Sequence, residues 1–125
     1  MKKLALLARV LVGLVFVTFG ANYFLGFLPM PEGTAESQAF GAALAQTGYM
    51  WPVIKVVEIA GGLMVLTGIW APLGLVLLAP IVVNIALYNA LLDPSGLPMG
   101  IGLVVLMLLL ALHYKDSFRG LFRVG

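Results

Sequence analysis

Residues 53–70 read VIKVVEIAGGLMVLTGIW, an apolar run long enough to cross a bilayer, with a lysine and a glutamate set inside it. Insertion scales put Asp, Lys or Arg at the centre of a bilayer at about 2.5 to 3.5 kcal/mol each, so Lys55 and Glu58 must be paired, hydrated or functional. They stand three residues apart, about 60° around a helix, and can meet on one face as an ion pair. Glu58 is also a candidate proton acceptor, which Lys55 would act to hold ionised.

The rest of the chain has the same character. Of its 125 residues 62% are hydrophobic and 10% charged, with a mean hydropathy of +1.12, whereas soluble domains are about 45–50% apolar. This is the composition of a membrane protein. Four spans of about 20 residues would use most of the length, so a single domain over residues 1–125 is expected. The net charge of +2 comes from bases clustered at the chain ends, which read as topology signals and not as a nucleic-acid surface. The absence of cysteine excludes a disulfide framework, a CxxC thiol relay and thiolate-held metal centres. With His113 the single histidine, two-histidine haem ligation within one chain is excluded and no metal site is expected. Electrons in any redox role would be carried by a diffusible cofactor or a partner.

Working outward from the central run, the pattern predicts helices at about 4–27, 52–70, 73–92 and 98–113. The first follows the basic start MKK and reads as a retained helix, being longer than a signal-peptide core and interrupted by Arg9. Pro29 and Pro31 close it, and Gly33 or Thr34 can cap a short amphipathic segment before the second span. Phe40, Ala43 and Leu44 share a face there, which suits either a half-buried interfacial helix or a polar loop. Pro52 sits in a first helical turn, APLG at 71–74 is expected as a tight turn, and Pro80 should loosen the third helix near Val76. DPSG at 93–96 is a turn, and Pro98 opens the fourth helix.

Six of the seven bases lie at the ends: Lys2, Lys3 and Arg9, then Lys115, Arg119 and Arg123. By the positive-inside rule both termini are cytoplasmic, and the two loops placed outside carry Glu32, Glu36 and Asp93. Arg9 is read as reaching headgroups by snorkelling and His113 as interfacial. The tail, with Lys115, Arg119 and Arg123 four residues apart and Phe118, Leu121 and Phe122 at helical spacing, reads as an anchor on an anionic leaflet or as a short solvated end.

Counted along ideal helices, Glu58 lies about 10 Å below the outer boundary, with Asn22 and Asn84 at roughly 8 and 12 Å. Three helices thus offer polar groups in one layer. Thr18 shares the Asn22 face and Tyr88 the Asn84 face, while Asn89 stands on another. These groups serve either as hydrogen-bonding glue between helices, at about 0.6 kcal/mol per contact, or as an outer-half ligand or proton pocket. Gly61 and Gly62, one turn past Glu58, allow close helix packing or the approach of a flat ligand.

Three stretches then carry a family resemblance: Arg9, Gly13, Phe16, Phe19 and Gly20 in the first helix, GYMWPVIKVVEIAGGLMVLTGIWAPLG at 48–74, and LLAPIVVNIALYNALLD at 77–93. Together they resemble the DoxX-like family of small four-helix bacterial membrane proteins, the glutamate followed by paired glycines being the most specific element. The resemblance implies a four-helix bundle in the bacterial cytoplasmic (inner) membrane. Some relatives are associated with quinone-linked sulfur oxidation or redox-stress complexes. It points to Glu58, Gly61 and Gly62, with Arg9 second. Many relatives have a basic residue near Asn22 and some a histidine near Asn89, where this chain has amides.

The expectation is an all-α membrane protein, a four-helix bundle in the lipid bilayer with no built-in cofactor. A pocket of Glu58, Lys55, Asn22, Asn84 and Tyr88, with Arg9 as a secondary candidate, would dock a quinone, a lipid or a redox-protein partner, making the chain a non-catalytic subunit of an oxidoreductase complex. A small-molecule or lipid transporter, a ligand-free assembly factor and a homo-oligomer stay open. No nucleophile triad, metal cluster or phosphate loop marks a self-contained enzyme.

Overall fold

The computed structural model describes residues 2–30 and 33–122. Pro31, Glu32 and Arg123, invoked above for helix termination and topology, lie outside the described residues, as does the side chain of Phe122. The helices are α1 (Lys2–Leu25), α2 (Ala35–Gln46), α3 (Met50–Thr67), α4 (Ala71–Leu91) and α5 (Leu97–His113), with 3-10 segments at Pro94–Gly96 and Lys115–Phe122. Among the described residues, four segments are long and apolar enough to cross a membrane: Lys2–Leu25, Met50–Thr67, Ala71–Leu91 and Pro94–His113. The fold is an all-α, multi-pass membrane bundle.

Backbone chemistry explains where the helices end, and several ends differ from expectation. Gly26 takes a left-handed φ of 63° and its N–H bonds the Asn22 carbonyl at 2.7 Å, so α1 stops at Leu25 and not at Phe27. Gly68, at φ 81°, likewise caps α3, which ends at Thr67 although the apolar run continues to Trp70. The turn to α4 is therefore 68–70. APLG is the first turn of α4, which tolerates Pro72 because its N–H would be unpaired there anyway. Trp70 itself has φ 57°, unusual for a residue with a side chain. α4 continues through Pro80. The segment between the first two spans is a helix: the Thr34 hydroxyl caps it by accepting from Ser37 N at 3.1 Å, and Ser37, Phe40, Gly41 and Leu44 form its buried or half-buried stripe.

The four long helices form a closed ring in which α1 packs on α3, α3 on α4, α4 on α5 and α5 on α1. Two glycine contacts bring the backbones together. A Cβ on Gly13 of α1 would stand 2.5 Å from the Leu66 Cβ and 3.0 Å from the Gly62 carbonyl, and one on Gly74 of α4 would stand 2.8 Å from the Gly61 carbonyl. Gly62 therefore faces α1 and Gly61 faces α4. The apolar core occupies the half of the bundle nearer the chain termini, centred on Val12, Phe16, Val65, Leu78 and Leu110. At the opposite end, under α2, the buried side chains are polar: Asn22, Ser37, Glu58 and Asn89.

If these glycine contacts set the helix spacing, Gly13→Val should overpack the α1/α3 seam and lower stability by about 1–3 kcal/mol. Unfolding in micelles should show it, while Gly102→Val, where an added Cβ meets nothing within 4 Å, should behave like the parent.

Candidate functional site

α3 presents Glu58, Gly61, Gly62 and Val65 as one buried stripe, the i, i+3, i+4, i+7 pattern of a helix face turned into a bundle. The two glycine contacts fix its rotation, so Glu58, one turn earlier, points inward with 5% of its surface exposed. Lys55 Nζ meets Glu58 Oε2 at 3.3 Å, with the lysine side chain 17% exposed. The ammonium also lies 5.5 Å from the centre of the Trp51 ring, within cation–π range. Trp51 stacks in turn on Tyr23 of α1, with 6.3 Å between ring centres and 26° between planes. One face of α3, with Tyr23 of α1 stacked on it, thus carries an indole, an ammonium and a carboxylate, descending from the α2 end.

The indole also anchors α2, its Nε1–H donating to the Gly41 carbonyl at 2.9 Å. At the other end of α2 the Thr34 hydroxyl donates to the carbonyl of Leu92, the C-cap residue of α4. Phe40 packs on Tyr88, 5.7 Å between ring centres. α2 is a strap pinned to α3 and α4.

The expected convergence of Asn22, Glu58 and Asn84 is not what the helices form. The Asn22 amide is used locally, donating to the Leu28 carbonyl at 3.2 Å and accepting from Leu28 N at 2.7 Å, so it shapes the exit of α1. Asn84 is exposed on the outer side of α4. There it borders a groove of about 180 Å³ with Phe40, Leu87, Tyr88 and Leu91. Asn89 is the α4 amide that turns inward, packed against Gly96 and Gly100. The azimuths differ, because a position along a helix says nothing of the direction a side chain takes.

Arg9 is likewise placed differently from a snorkelling residue. Its Nε donates to the Val65 carbonyl at 3.0 Å and its Nη2 to the Leu66 carbonyl at 3.4 Å. A Cβ on Gly68 would meet the guanidinium at 2.5 Å. Arg9 is a C-terminal cap supplied to α3 by a neighbouring helix, bringing positive charge to the negative end of the helix dipole. It stands far from the Lys55–Glu58 pair, near the opposite end of α3. His113 is half-buried and meets Tyr114 edge-on at 4.8 Å. In the tail Phe118 packs on the core, while Asp116 and Arg119 pair at 3.2 Å in the open. A second, wholly apolar groove of about 260 Å³ runs between α4 and α5, from Leu75 and Ala79 to Met107 and Ala111, with Phe118 at its end. Among the described residues no three His, Asp or Glu side chains gather as a metal-ligand group.

The family model described as DoxX matches residues 4–90, which takes in α1 to α4 up to the last turn and every residue of the α3 row. No curated protein and no solved structure matches this chain. The match extends over most of the bundle, and on it the chain belongs to the DoxX family.

Proposed function

We propose that the protein is a non-catalytic integral subunit of the bacterial cytoplasmic membrane that docks the ring of a membrane-soluble quinone, or a redox partner presenting one, on the Tyr23, Trp51, Lys55 and Glu58 row. The carrying observation is the ammonium of Lys55, held between the Glu58 carboxylate at 3.3 Å and the Trp51 ring at 5.5 Å. An ammonium has three N–H donors, and Glu58 takes one of them. The others are free to meet a carbonyl, while the exposed ring of Tyr23, stacked on Trp51, offers a flat face beside the row. When bound, a quinone supplies two-electron, two-proton chemistry. The chain's own part is to orient the ring, to place a positive charge beside a carbonyl oxygen, and to hold or release a proton at the Glu58 carboxylate. The whole of residues 1–125 acts as one unit in this reading, since α5, beyond the matched residues, closes the ring onto α1 and α4.

The orientation follows the charges. Lys2, Lys3, Lys115 and Arg119 mark the terminal end as cytoplasmic, which places α2, Glu36 and Asp93 outside. A transport role is less well supported than docking, because the half of the bundle beyond Glu58 is a packed apolar core, with Val12, Val65, Leu78 and Leu110 at 0% exposure.

Protein extracted in mild detergent from quinone-containing membranes should retain quinone, measured by chromatography of the organic extract. Glu58→Gln and Trp51→Ala should each lower that retention by about tenfold, the effect of losing one charged or stacking contact of about 1.4 kcal/mol. Retention equal to that of a control membrane protein, or unchanged in both variants, would refute docking. A second measurement addresses the pair as a structural element. Lys55→Met should destabilise the bundle by about 2 kcal/mol, less than for a fully buried pair because Lys55 is partly open, and adding Glu58→Leu should restore most of it.

A further inference from the structure

α4 has two faces. Ala71, Gly74, Leu75, Leu78, Val82 and Asn89 turn into the bundle. Nearly opposite them, Leu73, Leu77, Pro80, Asn84, Leu87 and Leu91 recur at intervals of four, three, four, three and four residues. That alternation is the heptad spacing of a helix–helix seam. Leu77 is half-buried and the other five are exposed.

Asn84 is the anomaly in this row. It lies seven residues before Leu91, about 10 Å along the helix, at a depth where the solvent is hydrocarbon. Its amide has no hydrogen-bond partner among the described residues, and neither has the hydroxyl of Tyr88 one turn on. A polar side chain facing acyl chains without a partner is unfavourable, and a helix that carries one associates so as to pair it.

Which occupant satisfies it follows from the residue. An amide is donor and acceptor at once, so it is complementary to itself, and two copies inserted with the same topology place their α4 helices parallel. A two-fold axis along the membrane normal then sets each Asn84 opposite its counterpart, with leucines of the seam above and below. One asparagine in an otherwise apolar heptad row is also the device that fixes register and copy number in parallel coiled coils. The shallow groove between Leu87, Tyr88 and Phe40 of the strap lies beside this seam, open to a side chain from the other copy. We propose that the Leu73 to Leu91 seam of α4 is a homodimer interface, with the Asn84 side-chain amides of two copies hydrogen-bonded across it. It lies on a different helix from the Lys55–Glu58 row and does not depend on quinone docking.

The chain contains no cysteine, so single cysteines report proximity without background. Leu87→Cys in the full-length protein, oxidised in native membranes, should give a disulfide-linked species of twice the chain mass. Leu108→Cys, equally exposed on α5, should give little. Adding Asn84→Leu to Leu87→Cys should lower the dimer yield about threefold or more, as expected for loss of one interhelical polar contact. Asn84→Gln, which keeps an amide, should retain it, and unchanged helical circular dichroism will separate loss of pairing from loss of folding. Yield from Leu87→Cys no greater than from Leu108→Cys would overturn the proposal. So would insensitivity to Asn84→Leu, or crosslinking to a different protein alone. A lipid or small molecule on the amide corresponds to the first of these outcomes.

Discussion

Backbone contact between helices, made at Gly13 with Gly62 and at Gly61 with Gly74, is the constraint from which the remaining geometry follows. In a bilayer, helices gain little from burying apolar side chains against one another, because lipid tails are as apolar as leucine, and close fit has to supply the association. Two adjacent glycines on α3 serve two neighbours at once. They also fix the azimuth of the helix, and so the carboxylate one turn before them has no direction to take but inward. The ion pair is thus a consequence of the packing, held in place by contacts that involve no charge.

The same economy governs polar groups along the bundle. Non-helical backbone is confined to the ends, where side chains satisfy it: Asn22 locally for the exit of α1, and from other helices Arg9 for the last carbonyls of α3 and Thr34 for the end of α4. Polar residues that look like a ligand constellation in one dimension are divided between this capping work, the α3 row and the two faces of α4, where Asn89 turns inward and Asn84 outward. What remains is a bundle with a dry half and a polar half, and the polar half is the one covered by the α2 strap.

The four spans, the Thr34 cap and the Lys55–Glu58 pairing were legible in the linear chain, since each depends on run length or on a spacing within one helix. Positions of helix ends were legible to within a few residues. They moved where Gly26 and Gly68 adopt left-handed backbone inside a continuing apolar run, which hydropathy does not register. Helix rotation was legible for α3 because its charges and glycines mark a face, and illegible for α4, where leucine, valine and isoleucine surround the axis and Asn84 and Asn89 point to opposite sides. The contact of Arg9 with Val65 joins residues 56 apart, and no local pattern could announce it.

The turn at Gly68, Ile69 and Trp70 has a bearing on how the chain reaches its membrane. α3 is the least hydropathic of the four spans and carries the two charges, so it is the segment a translocon would accept least readily alone. A three-residue turn ties that charged span to the more apolar α4 as a helical hairpin, and the left-handed corner at Trp70 is its joint, so what a bilayer has to accept is the summed hydropathy of the pair and not that of α3 by itself.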